Sequence, residues 1–200
     1  MNKDIKKDII MAGVGGQGIL SITTVIGEAA LTNGLHIKQA EVHGMSQRGG
    51  DVQSNLRLST SPIHSDLIPT GKVDLIISLE PMEALRYVQY LAPDGWIVTS
   101  SIPFVNIPNY PDQAEIQKRL ESLPRVITLD VEALAAQVEA PKQASNMVLL
   151  GAATPMLGLD YDQIEAAVKK IFNRKGEEVV KKNIAALKAG YDYSLKHQTK

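Results

Sequence analysis

Apolar positions along the chain alternate between short continuous runs and stretches with helical spacing, the pattern of an α/β protein. Residues 8–12 (DIIMA) read as a buried strand that ends on a glycine-rich turn within MAGVGGQGIL. Residues 16–33 read as a helix, with Ile19, Leu20, Ile22, Val25, Ile26, Ala29 and Ala30 on its apolar face and Gly34 closing it. Residues 36–42 read as a second strand. Residues 52–58 alternate in part, with Val52, Leu56 and Leu58 against Gln53, Asn55 and Arg57, which predicts a third strand with one wet or packed face.

Further on, residues 73–79 (VDLIISL) form the best buried strand of the sequence. Glu80-Pro81 starts a helix predicted to run to about Leu91, with the proline near its first turn. Strands are expected at 96–100 and 125–129, separated by a proline-rich loop (IPFVNIPNYP) and a helix at 112–123. Asp130 caps a helix to about Glu139, and an apolar helix opens at Ala144 and ends or kinks near Pro155. Asp160 and Gln163 have capping-box spacing for a helix at 161–172. Residues 176–197 form a last amphipathic helix, with Val179, Val180, Ile184, Leu187, Tyr191 and Leu195 inward. Together these predict one domain over residues 1–200, a three-layer α/β/α fold on a mixed, mostly parallel sheet, with a Rossmann-like start and a helical C-terminal part from about 144 to 200.

The link between the second and third strands changes this picture in one respect. Residues 43–51 are too few and too glycine-rich for a crossover helix, and parallel neighbours need about a dozen residues or more. The third strand is therefore expected to run antiparallel, where a dinucleotide-binding half would place a helix.

Composition narrows the chemistry. Among 200 residues, 44% are hydrophobic and 22% charged, and the net charge is -1, which gives no electrostatic case for nucleic acid. No apolar run approaches the ~20 residues of a membrane helix, and the charged start leads into no signal-like apolar stretch, so the cytoplasm is the expected location. There are no cysteines, which excludes disulfides, a thiolate nucleophile and cysteine-held iron–sulfur clusters in this chain. The four histidines, His36, His43, His64 and His197, lack metal-ligand spacing, so no metal site is expected.

The glycine turn is the main candidate site. Gly13, Gly15 and Gly18 spell G-x-G-x-x-G between a strand and a helix, where backbone N–H groups and the helix dipole favour an anion. Glu41, at the predicted end of the second strand, stands where a NAD fold keeps its ribose-binding acid. Against that, glycines there also simply permit a turn and close packing, and the missing crossover helix weakens the dinucleotide reading. The tripeptide Gly15-Gly16-Gln17 matches a peptidyl-ester hydrolysis motif but lies between a buried strand and an apolar helix, and G-K-[ST] is missing, so neither that activity nor a P-loop is expected.

If the first two strands are parallel neighbours, their carboxyl ends share one sheet edge, and the turn meets the segment His43–Gly50 (HGMSQRGG) there. Gln17, Ser46, Gln47 and Arg48 would then converge with Gly13, Gly15, Gly16 and Gly18. Arg48 can grip a carboxylate or phosphate with two bonds, and His43 is the candidate acid or base. A ligand edge and a protein interface explain this cluster equally well, and the two are compatible. Glu80 either faces the same edge or serves as a first-turn acid.

The run GVGGQGIL, EVHGMSQRGG, SNLRLS and LEPMEALRY, with RVITLDVEAL and SNMVLLGA further on, closely resembles the gamma domain of the 2-oxoacid:ferredoxin oxidoreductases, in particular the small beta-subunit type specific for indolepyruvate. The resemblance covers nearly the whole chain. It implies oxidative decarboxylation of an arylpyruvate to an acyl-coenzyme A, with electrons passed to ferredoxin. It also implies a large alpha subunit as partner, carrying thiamine diphosphate, magnesium and the iron–sulfur clusters, with coenzyme A as co-substrate. The small subunit is then inactive alone. Two other classes remain open on the sequence: a stand-alone NAD(P)-binding oxidoreductase, and a non-catalytic scaffold subunit.

Overall fold

A computed structural model describes residues 4–43 and 49–198, apart from the His43 side chain. Its elements run β1 (Lys6–Val14), α1 (Ile19–Thr32), β2 (His36–His43), β3 (Asp51–Ser59), β4 (Val73–Ser78), α2 (Pro81–Arg86), β5 (Leu91–Ser100), α3 (Gln113–Glu121), β6 (Val126–Leu129), α4 (Val131–Gln137), α5 (Ser145–Ala153), α6 (Tyr161–Phe172) and α7 (Glu177–His197). The strands form one six-stranded sheet in the order β2-β3-β1-β4-β5-β6. From β1 to β6 all pairings are parallel, while β3 pairs antiparallel with both β1 and β2.

The central strands are apolar on both sides because helices cover both. Ile9, Met11, Leu75, Ile77 and Val98 point to one face, where α1 and α4–α7 pack. Ile10, Ala12, Ile76 and Ile97 point to the other, under α2 and α3. This is the expected three-layer mixed sheet. At the β3 wing the second face turns polar, and Arg57 pairs there with the buried Asp8 carboxylate at 2.7 Å while donating to the Ser65 and Leu67 carbonyls.

Local signals in the sequence have the expected structural counterparts. Gly34 adopts φ 73°, with Leu35 N–H bonded to the Ala30 carbonyl and Gly34 N–H to that of Leu31, a Schellman ending for α1. The Asp160/Gln163 capping box is formed. At Pro155 α5 gives way to a 3-10 turn, Thr154–Met156.

Four expectations are corrected. β1 and β2 are not neighbours, because β3 lies between them. Both still run in the same direction, so their carboxyl ends do share an edge. The helix after Pro81 ends at Arg86 rather than Leu91, and Leu91 already begins β5. Leu20 and Leu195, expected inward, are exposed.

Candidate functional site at the carboxyl edge of the sheet

The turn between β1 and α1 is fixed by its own side chains. Gln17 N–H donates to the Val14 carbonyl and Gly16 holds φ 100°, a two-residue turn that a Cβ at Gly16 would strain. The Gln17 side chain closes it: Oε1 accepts from Val14 N–H at 2.8 Å, and Nε2 donates to the Leu79 carbonyl at 3.2 Å. Gln17 thereby ties the turn to the end of β4.

Gly18 is the N-cap of α1 in the left-handed region, φ 88°, and no side chain caps the helix or places an acid in its first turn. Among the described residues, the N–H groups of Gly16 and Gly18 have no hydrogen-bond acceptor. The first turn of α5 is likewise uncapped and lacks acids. The two helix starts meet directly, since Asn146 Nδ2 donates to the Gly18 carbonyl at 3.3 Å. Asn146 is buried, and its Oδ1 finds no donor among the described residues. The uncapped α1 N-terminus there gives a local positive potential suited to an anion, while the 3-10 turn leading into α5 already takes the Ser145 N–H.

The second glycine cluster joins the first. Gly15 N–H donates to the Gly50 carbonyl at 2.8 Å, and Gly49 N–H to the Gly15 carbonyl at 3.4 Å. The meeting of the two segments, expected from the sequence, is thus present at its glycine ends. Ser46, Gln47 and Arg48 lie outside the described residues, as do Gly44 and Met45; of His43 only the backbone, the last residue of β2, is described. Glu41 is separated from the turn by β3, two strand spacings or about 10 Å from β1. That is not the placement of a ribose-binding acid beside the first strand.

A third segment reaches the same edge, which the sequence did not reveal. Glu80 is buried at the end of β4, and one carboxylate oxygen caps α2 by accepting from Glu83 N–H at 2.8 Å. The other accepts from Phe104 N–H at 3.3 Å and from the Tyr110 hydroxyl. Glu80 is therefore both helix cap and edge residue. Burial, and then the Glu80 bond, hold the Tyr110 hydroxyl well above its usual range. Nearby, Glu83 is buried against the Arg86 guanidinium through two bonds, 2.8 and 2.9 Å. Burial, with Glu83 and Asp51 adding to it, pushes Tyr87 up to about 12. The loop after β5 then reaches the second glycine cluster, where Asn106 Nδ2 donates to the Gly49 carbonyl.

Among the described residues, no group of three His, Asp or Glu side chains is placed to hold a metal, and no helix is long and apolar enough to cross a membrane. With no cysteine and no such acidic set, these residues do not fit an iron–sulfur cluster or a metal–diphosphate group.

The chain is thus an α/β domain without cysteine that places a glycine turn at the carboxyl edge of a mixed sheet. The chain belongs to the family of pyruvate ferredoxin/flavodoxin oxidoreductases, whose pattern matches residues 8–193. It is 32% identical over 200 residues to an indolepyruvate oxidoreductase subunit (IorB) of Archaeoglobus fulgidus, covering 96% of each chain. Its fold is similar to the gamma subunit of a keto/oxoacid ferredoxin oxidoreductase from Geobacter sulfurreducens, with TM-score 0.69, 22% identity, and coverage of 95% of this chain and 99% of that one. It is also similar to a 2-oxoglutarate:ferredoxin oxidoreductase from Magnetococcus marinus, solved with 2-oxoglutarate, coenzyme A and succinyl-coenzyme A, with TM-score 0.75 and 21% identity. That match covers 98% of this chain but 32% of the other, so the chain spans about a third of that longer polypeptide.

Proposed function

We propose that this chain is the small subunit of a cytoplasmic 2-oxoacid:ferredoxin oxidoreductase acting on arylpyruvates such as indolepyruvate. It completes the active site of a large alpha subunit that carries thiamine diphosphate, magnesium and the iron–sulfur clusters. The reaction releases carbon dioxide from the 2-oxoacid, joins its acyl group to coenzyme A as a thioester and passes electrons to ferredoxin. This chain's own part is to bind and orient. The observation that carries the assignment is the open glycine turn, zipped to Gly49–Gly50 at the carboxyl edge, in a cysteine-free member of the family.

Gly13, Gly15, Gly16 and Gly18 bring the backbone close to an anionic group of the substrate, thiamine diphosphate or coenzyme A, and the α1 start favours its charge. Gln17 keeps the turn in place from below while standing at the same boundary. Ser46, Gln47 and Arg48 supply side-chain contacts from the segment anchored at Gly49, with Arg48 as the two-bond anion grip. His43 is the candidate proton donor or acceptor.

Turnover of the reconstituted alpha–beta enzyme with Arg48→Ala tests this. The expected result is a KM for coenzyme A or 2-oxoacid raised about tenfold or more, as for a lost charge-assisted pair. Wild-type kinetics with unchanged subunit affinity would sink it. A scaffold role without site contacts would instead weaken assembly and leave turnover of the assembled complex intact.

A further inference from the structure

The segment Ser100–Tyr110 contains no Asp, Glu, Lys or Arg, in a chain that is 22% charged. It also exposes four large apolar side chains within six residues: Ile102 at 38%, Phe104 at 42%, Val105 at 67% and Ile107 at 39%. Apolar exposure concentrated in this way marks an interaction site more often than scattered surface residues do.

The strap is held along its length. Ser101 N–H bonds to the Leu129 carbonyl at 2.9 Å, and Ile102 N–H to Ser100 Oγ at 3.1 Å. Phe104 N–H and the Tyr110 hydroxyl both grip the buried Glu80 carboxylate, and Asn106 grips the Gly49 carbonyl. Its backbone is anchored while its apolar side chains face solvent. Much of the ordering cost of docking is thus met before a partner arrives.

We infer that this strap is the surface on which the large alpha subunit docks, meeting an uncharged apolar face there. The inference rests on the function proposed above and adds the place of contact. The choice of occupant follows from continuity. Asn106 joins the strap to Gly49, and Gly49–Gly50 is zipped to the glycine turn, so a partner large enough to cover the strap and extend past Gly49 reaches the turn. A second copy of this chain seated there would shut the turn away from the chemistry the alpha subunit brings. Val42 at the carboxyl end of β2 and Leu20 in the first turn of α1 add exposed apolar side chains at the same edge of the sheet.

The test measures the dissociation constant of the alpha–beta complex for the wild type, Phe104→Asp, Val105→Asp and Val105→Ser, with Leu31→Asp as control. Leu31 is equally exposed, at 61%, but lies in the last turn of α1 at the far edge. Both strap aspartates are expected to raise Kd about tenfold or more, as interface hot spots do. Val105→Ser falls between, and Leu31→Asp matches the wild type. Thermal melting checks that each variant is folded, and Val105→Ser, the mildest change, keeps the test open if an aspartate variant is not. Strap variants that bind as tightly as the wild type overturn the inference. So does an equal loss for Leu31→Asp, or a self-dimer of the isolated chain, seen by sedimentation, that Val105→Asp dissolves. Lack of any wild-type complex overturns both this inference and the proposed function. Weakened docking by strap variants beside an Arg48→Ala enzyme with normal kinetics keeps the docking surface and removes the role assigned to the turn.

Discussion

Gly18 and Asn146 show how much a single contact carries at the sheet edge. A Cβ at Gly18 would lie 2.8 Å from Asn146 Nδ2, and the position already holds φ 88°. Gly18→Ala therefore combines left-handed strain with displacement of the asparagine, and is expected to cost about 1–3 kcal/mol in urea unfolding. Glu80→Ala removes the α2 cap and the strap's anchor together, leaving the Tyr110 hydroxyl without its acceptor. It is expected to destabilise by about 2 kcal/mol, and more than Glu80→Gln, which keeps an acceptor. The tyrosines give a pH signature. Tyr87, Tyr110, Tyr161 and Tyr193 are all held above the usual value of 10.0, with burial the first cause in each. Because the folded state keeps protons that the unfolded chain releases, stability is complete below pH about 10 and falls as pH rises toward and beyond about 12. A tyrosinate absorbance titration should show these four tyrosines ionising at higher pH in the folded chain than in guanidinium. Little of this was legible in the sequence. Glu80 could be read as an end-of-strand acid, but its grip on Phe104 and Tyr110 depends on a loop folding back over it. Asn146 sits in an apolar run, and its partner is 128 positions away.

At the level of elements, α5 and α7 cross through glycine. A Cβ at Gly151 would lie 1.9 Å from the Leu187 carbonyl oxygen, and one at Gly190 would lie 1.8 Å from that of Val148. Backbone cannot yield as a flexible side chain can, so Gly151→Ala and Gly190→Ala are each expected to cost about 3 kcal/mol or more, measured by denaturant unfolding. The same crossing explains a misread periodicity. Buried Ala186, Gly190 and Ser194, spaced by four, form the seam of α7, which turns Leu195 to solvent. Hydrophobic spacing favours large apolar residues and so passes over a seam built of small ones. Strand direction was more legible than strand order. The short glycine-rich link fixed β3 as antiparallel, but β3 rather than β2 lies against β1. The physical reason can be found in the residues: Leu56 and Leu58 of β3 are fully buried, whereas His36, Lys38, Gln39 and Val42 leave β2 fit only for an edge, where a lysine also discourages further pairing.

For the whole molecule, the absence of cysteine and the carboxyl edge fit the proposed role, in which the chain supplies binding groups and a partner subunit carries the redox centres. The fold class followed from spacing and composition, whereas the two glycine clusters meet because β3, not β2, lies beside β1 and starts opposite Val14. The strap did not follow from spacing, since proline-rich loops carry no period from which their course could be read. With Glu41 a strand away from the first strand's neighbourhood, the isolated chain is expected to show no NADH binding by fluorescence titration. The central claim is tested most directly by arylpyruvate- and coenzyme A-dependent reduction of ferredoxin, using the alpha subunit with and without this chain. The expected result is turnover only when both are present, rising with added chain to a stoichiometric plateau. An alpha subunit that turns over equally fast alone would contradict it.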